Sequence, residues 1–130
     1  MQGYTGNVEQ QTLDNENFRT VVFTGPNIQL VLMTLQPGEE IGAETHDGHD
    51  QFFRFEEGEA KVLIGGEEKT VQAGGAAIVP AGTLHNIINA SETEKLKLYT
   101  LYAPPQHAQG TVHKTKAEAD EAEKHAHESE

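Results

Sequence analysis

The chain has no cysteine. That excludes a disulfide framework and any zinc site built on thiolates, and it suits a reducing compartment. Positive charge is scarce as well: 9 Lys and Arg stand against 21 Asp and Glu, for a formal net charge of -12. A nucleic-acid binder carries a basic footprint. Here the overall field repels phosphate backbones, so no nucleic-acid partner is expected. Long apolar runs are missing too. None approaches the roughly 20 residues that a membrane span needs. The polar opening "MQGYTGNVEQQ" has no basic segment followed by an apolar one, so no signal peptide is read. A cytoplasmic protein with no membrane partner is the expectation.

What is present is strand-like almost throughout. "FRTVVFT" (18–24) is rich in β-branched and aromatic residues and stops at Gly25-Pro26. "IQLVLMTLQ" (28–36) stops at Pro37-Gly38. "QFFRFEEGE" and "AKVLIGGEE" follow, with Gly65-Gly66 as the predicted hairpin turn. "AAIVPAG" and "HNIINAS" read as short strands around a Pro-Gly loop. "KLKLYTLYAP" closes the series and places Leu96, Leu98, Thr100 and Tyr102 on one face. Many short strands punctuated by Gly and Pro, with no long amphipathic helix and no internal repeat, predict one all-β sandwich or barrel. The length suits a single domain. The barrel is expected over residues 1–110. Residues 111–130 form a polar tail of Ala, Glu and Lys with no large apolar residue after Val112, expected to be flexible or helical in part.

Two stretches carry chemistry. "GAETHDGHDQFFRFEEG" (42–58) gathers Glu44, His46, His49 and Gln51 ahead of an aromatic run. Residues two apart in a strand point the same way, so Glu44 and His46 can face one interior together. Gln51 opens the strand "QFFRF" and shares its face with Phe53 and Phe55. The second stretch, "GGAAIVPAGTLHNIIN", places His85 directly after a Pro-Gly turn that fixes where its strand begins. Two His with one carboxylate suit a divalent metal that keeps open positions. Gln51 can add a neutral carbonyl oxygen. His49 is expected in the loop or at the pocket rim, and Asp47 and Asp50 as solvated loop charges. His125 and His127 do not share a helical face, which argues against a metal-binding tail.

These motifs resemble the two signatures of the cupin superfamily. Gly74, Pro80, Gly82, His85 and Asn89 match the second, G-x5-P-x-G-x2-H-x3-N, at all five positions. Gly38, Glu44, His46, Gln51 and Gly58 match the spacing of the first, G-x5-H-x-H-x3,4-E-x6-G. Glu44 stands in place of its first His, and Gln51 in place of its Glu. The resemblance spans about residues 28–102. The ending "APPQHAQGTVHKTKA" is similar to a subgroup of small single-domain cupins, mostly without an assigned function.

The resemblance implies a double-stranded β-helix, that is, a cupin-type jelly-roll barrel, and a homodimer. It implies one divalent metal on Glu44, His46, Gln51 and His85, with Glu44 as the possible catalytic base. The two departures conserve charge, since three His with one Glu carry the same single negative charge as two His with Glu44 and Gln51. Harder oxygen donors favour Fe(II) or Mn(II) and leave Zn(II) or Ni(II) as alternatives. The function expected is a metal-dependent enzyme acting on a small organic molecule, either oxygenase-like or isomerase/lyase-like. The alternatives are a non-catalytic module that binds a small ligand or a structural metal, and metal-free acid/base catalysis by a histidine with a carboxylate.

Overall fold

A computed structural model describes residues 2–128 of the chain. In chain order the elements are α1 (Val8–Asp14), β1 (Arg19–Thr24), β2 (Gln29–Leu35), β3 (Asp50–Glu57), β4 (Glu59–Ile64) and β5 (Glu67–Gln72). They continue with β6 (Ala76–Val79), β7 (His85–Asn89), β8 (Leu96–Ala103), β9 (Val112–His113) and α2 (Lys116–Glu128). Two antiparallel sheets face each other. One has six strands in the order β6-β3-β8-β2-β1-β9, and the other has three, β5-β4-β7. Bridges Glu40–Ile88 and Glu44–His85 add the segment after β2 to the free side of β7.

Alternation places the core. Gln51, Phe53 and Phe55 of β3 point inward, as do Ala60 and Val62 of β4 and His85, Ile87 and Asn89 of β7. Leu96, Leu98, Thr100 and Tyr102 of β8 are buried on the one face that the sequence assigned to them. The apolar members form one cluster with Val31, Met33 and Leu35 of β2. All seven residues of β2 are buried. This strand lies inside the larger sheet, with the barrel core on one face and α1 packed over the other.

Two elements depart from the sequence reading. α1 is seven residues long, too short to hold itself by propensity. It is capped by Asn7, whose side chain accepts from the Gln10 N–H at 3.0 Å. The loop that follows anchors it. The Thr34 hydroxyl donates to the Asn15 carbonyl at 2.7 Å, and the buried Lys97 ammonium reaches both that carbonyl and the Glu16 carboxylate. The second departure is β5. Its outward, polar residues give no alternation, and its register is imposed by the Gly65-Gly66 hairpin against β4.

The chain past residue 110 joins the barrel at two points. Thr20 pairs with Val112 and Arg19 with His113, which adds β9 to the sheet edge. Ala119 of α2 is buried against the core cluster. A small residue such as Ala gives no pattern by which a sequence reading could find this seat. The side chains of His125 and His127, and all of Ser129 and Glu130, lie outside the described residues.

Candidate metal or acid/base site

Backbone bonds tie the two motifs into one unit. Glu44 and His85 exchange N–H···O bonds, both 2.9 Å, so the two residues oppose each other across the bridge. The Gly82 N–H donates to the His46 carbonyl at 2.9 Å. Gly82 has φ +80°, a left-handed conformation that glycine adopts without steric cost. Asp50 is not in the loop but opens β3, and it completes the turn by accepting from the Ala81 N–H at 2.9 Å, a structural role rather than that of a solvated loop charge. Asn89 anchors the far end of β7, donating to the carbonyls of Leu35, Gln36 and Glu94.

Glu44, His46, Gln51 and His85 all line one tight cavity, too narrow to admit a water-sized sphere, walled by Ile41, Phe53, Ile87 and Tyr102. A wider hollow at Gly58 and Glu94 lies away from them and gathers no comparable chemistry. His85 Nδ1 lies 2.9 Å from the Thr83 carbonyl. A carbonyl only accepts, so Nδ1 carries a proton, and whenever the ring is neutral the lone pair is on Nε2. Gln51 is 3% exposed. Its amide Nε2 donates to the Thr100 hydroxyl at 3.0 Å, while its Oε1 is buried without a partner. Glu44 Oε2 and His46 Nε2 are 2.9 Å apart and engaged with each other. Among the described residues, no three His, Asp or Glu side chains converge closely enough to hold a metal ion by themselves.

The donor chemistry still fits a divalent cation. A buried carbonyl oxygen without a donor loses hydration with nothing in return, and a cation supplies the missing interaction. The fixed tautomer of His85 is the kind of orientation that metal-binding imidazoles receive from a carbonyl acceptor.

Burial works against ionisation of Glu44, but the His46 hydrogen bond and the charges of His46, Arg19 and His85 outweigh it and hold the carboxyl below its usual range. Burial pushes the Tyr102 hydroxyl well up, so it stays protonated. Gln51 lies close enough to that hydroxyl to offset part of the rise, without a hydrogen bond of normal length. Burial, then the Arg19 charge, lowers His107 to about 4.

His49 does not line the cavity. Its Nδ1 meets the Pro104 carbonyl, and its ring packs edge-on against His46 at 6.0 Å. Sequence reasoning gave no site role to Arg19, Thr83, Thr100 or His107. Thr83 sits within the second motif and Thr100 on the inward face of β8, so both were reachable. Arg19 and His107 lie in no spacing pattern.

A family model described as "Cupin domain" matches residues 31–102. The chain is 46% identical to the uncharacterized protein YrkC of Bacillus subtilis over 123 residues, which is 90% of this chain and 66% of that one. It is 45% identical to the uncharacterized protein L612 of Acanthamoeba polyphaga mimivirus, over 85% of this chain and 71% of the other. It therefore spans about two thirds of the length of the curated relatives it matches. The crystal structure of BH2720 from Bacillus halodurans superposes with a TM-score of 0.90 at 43% identity, covering 92% of this chain and 95% of that one.

Proposed function

The chain belongs to the cupin family, and on that footing we propose that it is a metal-dependent enzyme acting on a small organic molecule. The orphaned Gln51 Oε1 carries this reading. It is a buried acceptor in the cavity that also holds His85 and the Glu44–His46 pair. Glu44, His46, Gln51 and His85 would hold one divalent cation, with Fe(II) or Mn(II) favoured by the oxygen donors and Zn(II) or Ni(II) next. When bound, such a cation supplies a Lewis acid and a template for a substrate oxygen, which serves oxygenase-like and isomerase/lyase-like chemistry alike.

The chain's own residues do the rest. Thr83 orients His85, and Thr100 orients the Gln51 amide. Phe53 and Ile87 keep water from the cavity floor. Tyr102 keeps its proton and can donate it in a hydrogen bond to a substrate oxygen. Glu44, ionised and next to His46, can take a proton as the catalytic base.

The Glu44–His46 contact also favours a second reading, metal-free acid/base catalysis. A carboxylate and an imidazole 2.9 Å apart form a proton-relaying pair without a cation. The homodimer remains part of the proposal. Ile78, 66% exposed, pairs in register with Phe52 on the outer face of the larger sheet, an apolar patch that a second copy would cover.

Elemental analysis of protein purified without chelators or a His-tag tests the leading reading. About one divalent metal per chain is expected, with His85→Ala losing most of it while circular dichroism stays β-rich. Metal-free protein that still turns over substrate would establish the second reading. Metal content unaffected by His85→Ala would sink the ligand assignment.

A further inference from the structure

Two buried side-chain polar atoms lack a partner among the described residues, Gln51 Oε1 and Arg19 Nε. The first is an acceptor and the second a cationic donor. Arg19 opens β1 with its side chain on the same inward face as Val21 and is 8% exposed. It makes no ion pair with a carboxylate among the described residues. Its Nη1 donates to His113 Nδ1 at 3.2 Å, and its guanidinium lies 5.3 Å over the Phe18 ring. Both contacts hold the group in place, and neither neutralises it.

A buried charge without a counter-ion is costly, and a chain under no other demand loses it to an apolar residue. The surroundings leave the charge uncompensated. His107 and His113 feel its charge as imidazoles, and Glu44, an acid that also feels it, has Oε2 engaged with His46. The Tyr102 hydroxyl, 3.4 Å from His107 Nε2, lines the cavity and feels the Arg19 charge. The Nε–H also lies on the side edge of the guanidinium, through which Arg grips a carboxylate with two parallel bonds.

We propose that Arg19 is the substrate-anchoring residue and that the small molecule is an organic acid, its carboxylate held by the Arg19 guanidinium and its remainder directed past Tyr102 toward Glu44 and His85. This specifies the substrate class of the reading above and rests on it for the site, though not for the metal. A phosphate is disfavoured, since a dianion of that size asks for more donors than one guanidinium edge and a hydroxyl.

The test uses the full chain with acetate, lactate, malonate and succinate as probes, and with inorganic phosphate and malonamide as controls. In wild-type protein, at least one carboxylate should shift the Arg19 Nε–H resonance saturably, and malonamide should not. In Arg19→Met the affinity for that acid should fall about 10- to 100-fold, the range for losing a charge-assisted pair. Arg19→Lys should recover only part of it. Metal per chain should stay unchanged in both variants, so a metal-free wild type would count against the metal reading alone. No shift with any carboxylate, a shift with phosphate only, or equal affinity in Arg19→Met would each overturn the proposal. The wild-type resonance decides the matter should Arg19→Met fail to fold.

Discussion

Gln51 and Thr100 face each other across β3 and β8, and the hydroxyl accepts from the amide at 3.0 Å. That bond anchors the amide, whose oxygen is left buried without a partner among the described residues. Thr100 is completely buried, and no water competes for the bond. Thr100→Val keeps the volume and removes the acceptor. The amide then loses its orientation, and its NH₂ is left buried and unpaired. Affinity for added Mn(II) should fall about 10-fold or more, as for other residues that orient a metal ligand. Stability should fall by about 1–3 kcal/mol. Titration of the variant and a urea melt read the two effects separately. An unchanged Mn(II) affinity would remove Gln51 from the ligand set.

His107 makes stability depend on pH. Its folded pKa is about 4, below the ordinary imidazole value of 6.5, because burial and the Arg19 charge disfavour the cation. The unfolded chain therefore binds more protons between these values. The stabilisation is fully present above pH 6.5 and is lost as pH falls toward 4. His113, also lowered, acts in the same direction. His107→Gln should flatten the decline in urea midpoint between pH 6.5 and 4, with little change at pH 8. The backbone bonds of His107 to Gln29 remain in the variant. An identical slope in wild type and variant would place the acid sensitivity elsewhere.

Two motif glycines with positive φ should differ sharply in their tolerance of a methyl group. A Cβ at Gly58 would sit 2.6 Å from the Lys95 carbonyl oxygen and 3.1 Å from the Leu96 Cα, both backbone atoms that cannot move aside. At Gly82 nothing lies within 4 Å. Gly82→Ala should cost only the conformational term, about 1–2 kcal/mol. Gly58→Ala adds overpacking and should cost about 2–5 kcal/mol in all. Thermal melts of the two variants should be separated by at least several degrees. Equal midpoints would mean that the β3–β4 corner relaxes freely.

Truncation after Thr115 removes α2 and uncovers the seat of Ala119. One buried methyl group accounts for about 0.5–1 kcal/mol, so the midpoint should drop by roughly 2–5 °C. A much larger loss would show that the helix does more than cover one core position. β9 stays in the truncated chain and continues to pair with β1.

The sequence by itself determined the barrel. Period-two alternation in β3, β7 and β8 is local, and each strand's inner face can be read without knowing its partner. The same rule put Gln51 beside Phe53 and Glu44 beside His46, and motif spacing added His85. The shared cavity followed, because a closed barrel gives its inward residues one interior. Only the tertiary structure decided what each group does there. The group that holds the Gln51 amide in place, Thr100, lies 49 residues away. The tautomer of His85 depends on a carbonyl that the turn conformation aims. The short α1 and the edge strand β9 exist through contacts with distant strands rather than through their own patterns. Arg19 is the extreme case. One arginine in a β-branched run is indistinguishable from a surface charge until folding buries it beside Phe18 and His113, with no carboxylate ion pair among the described residues. Periodicity records which way a side chain points, but the partners it meets are set by the closure of the sheets.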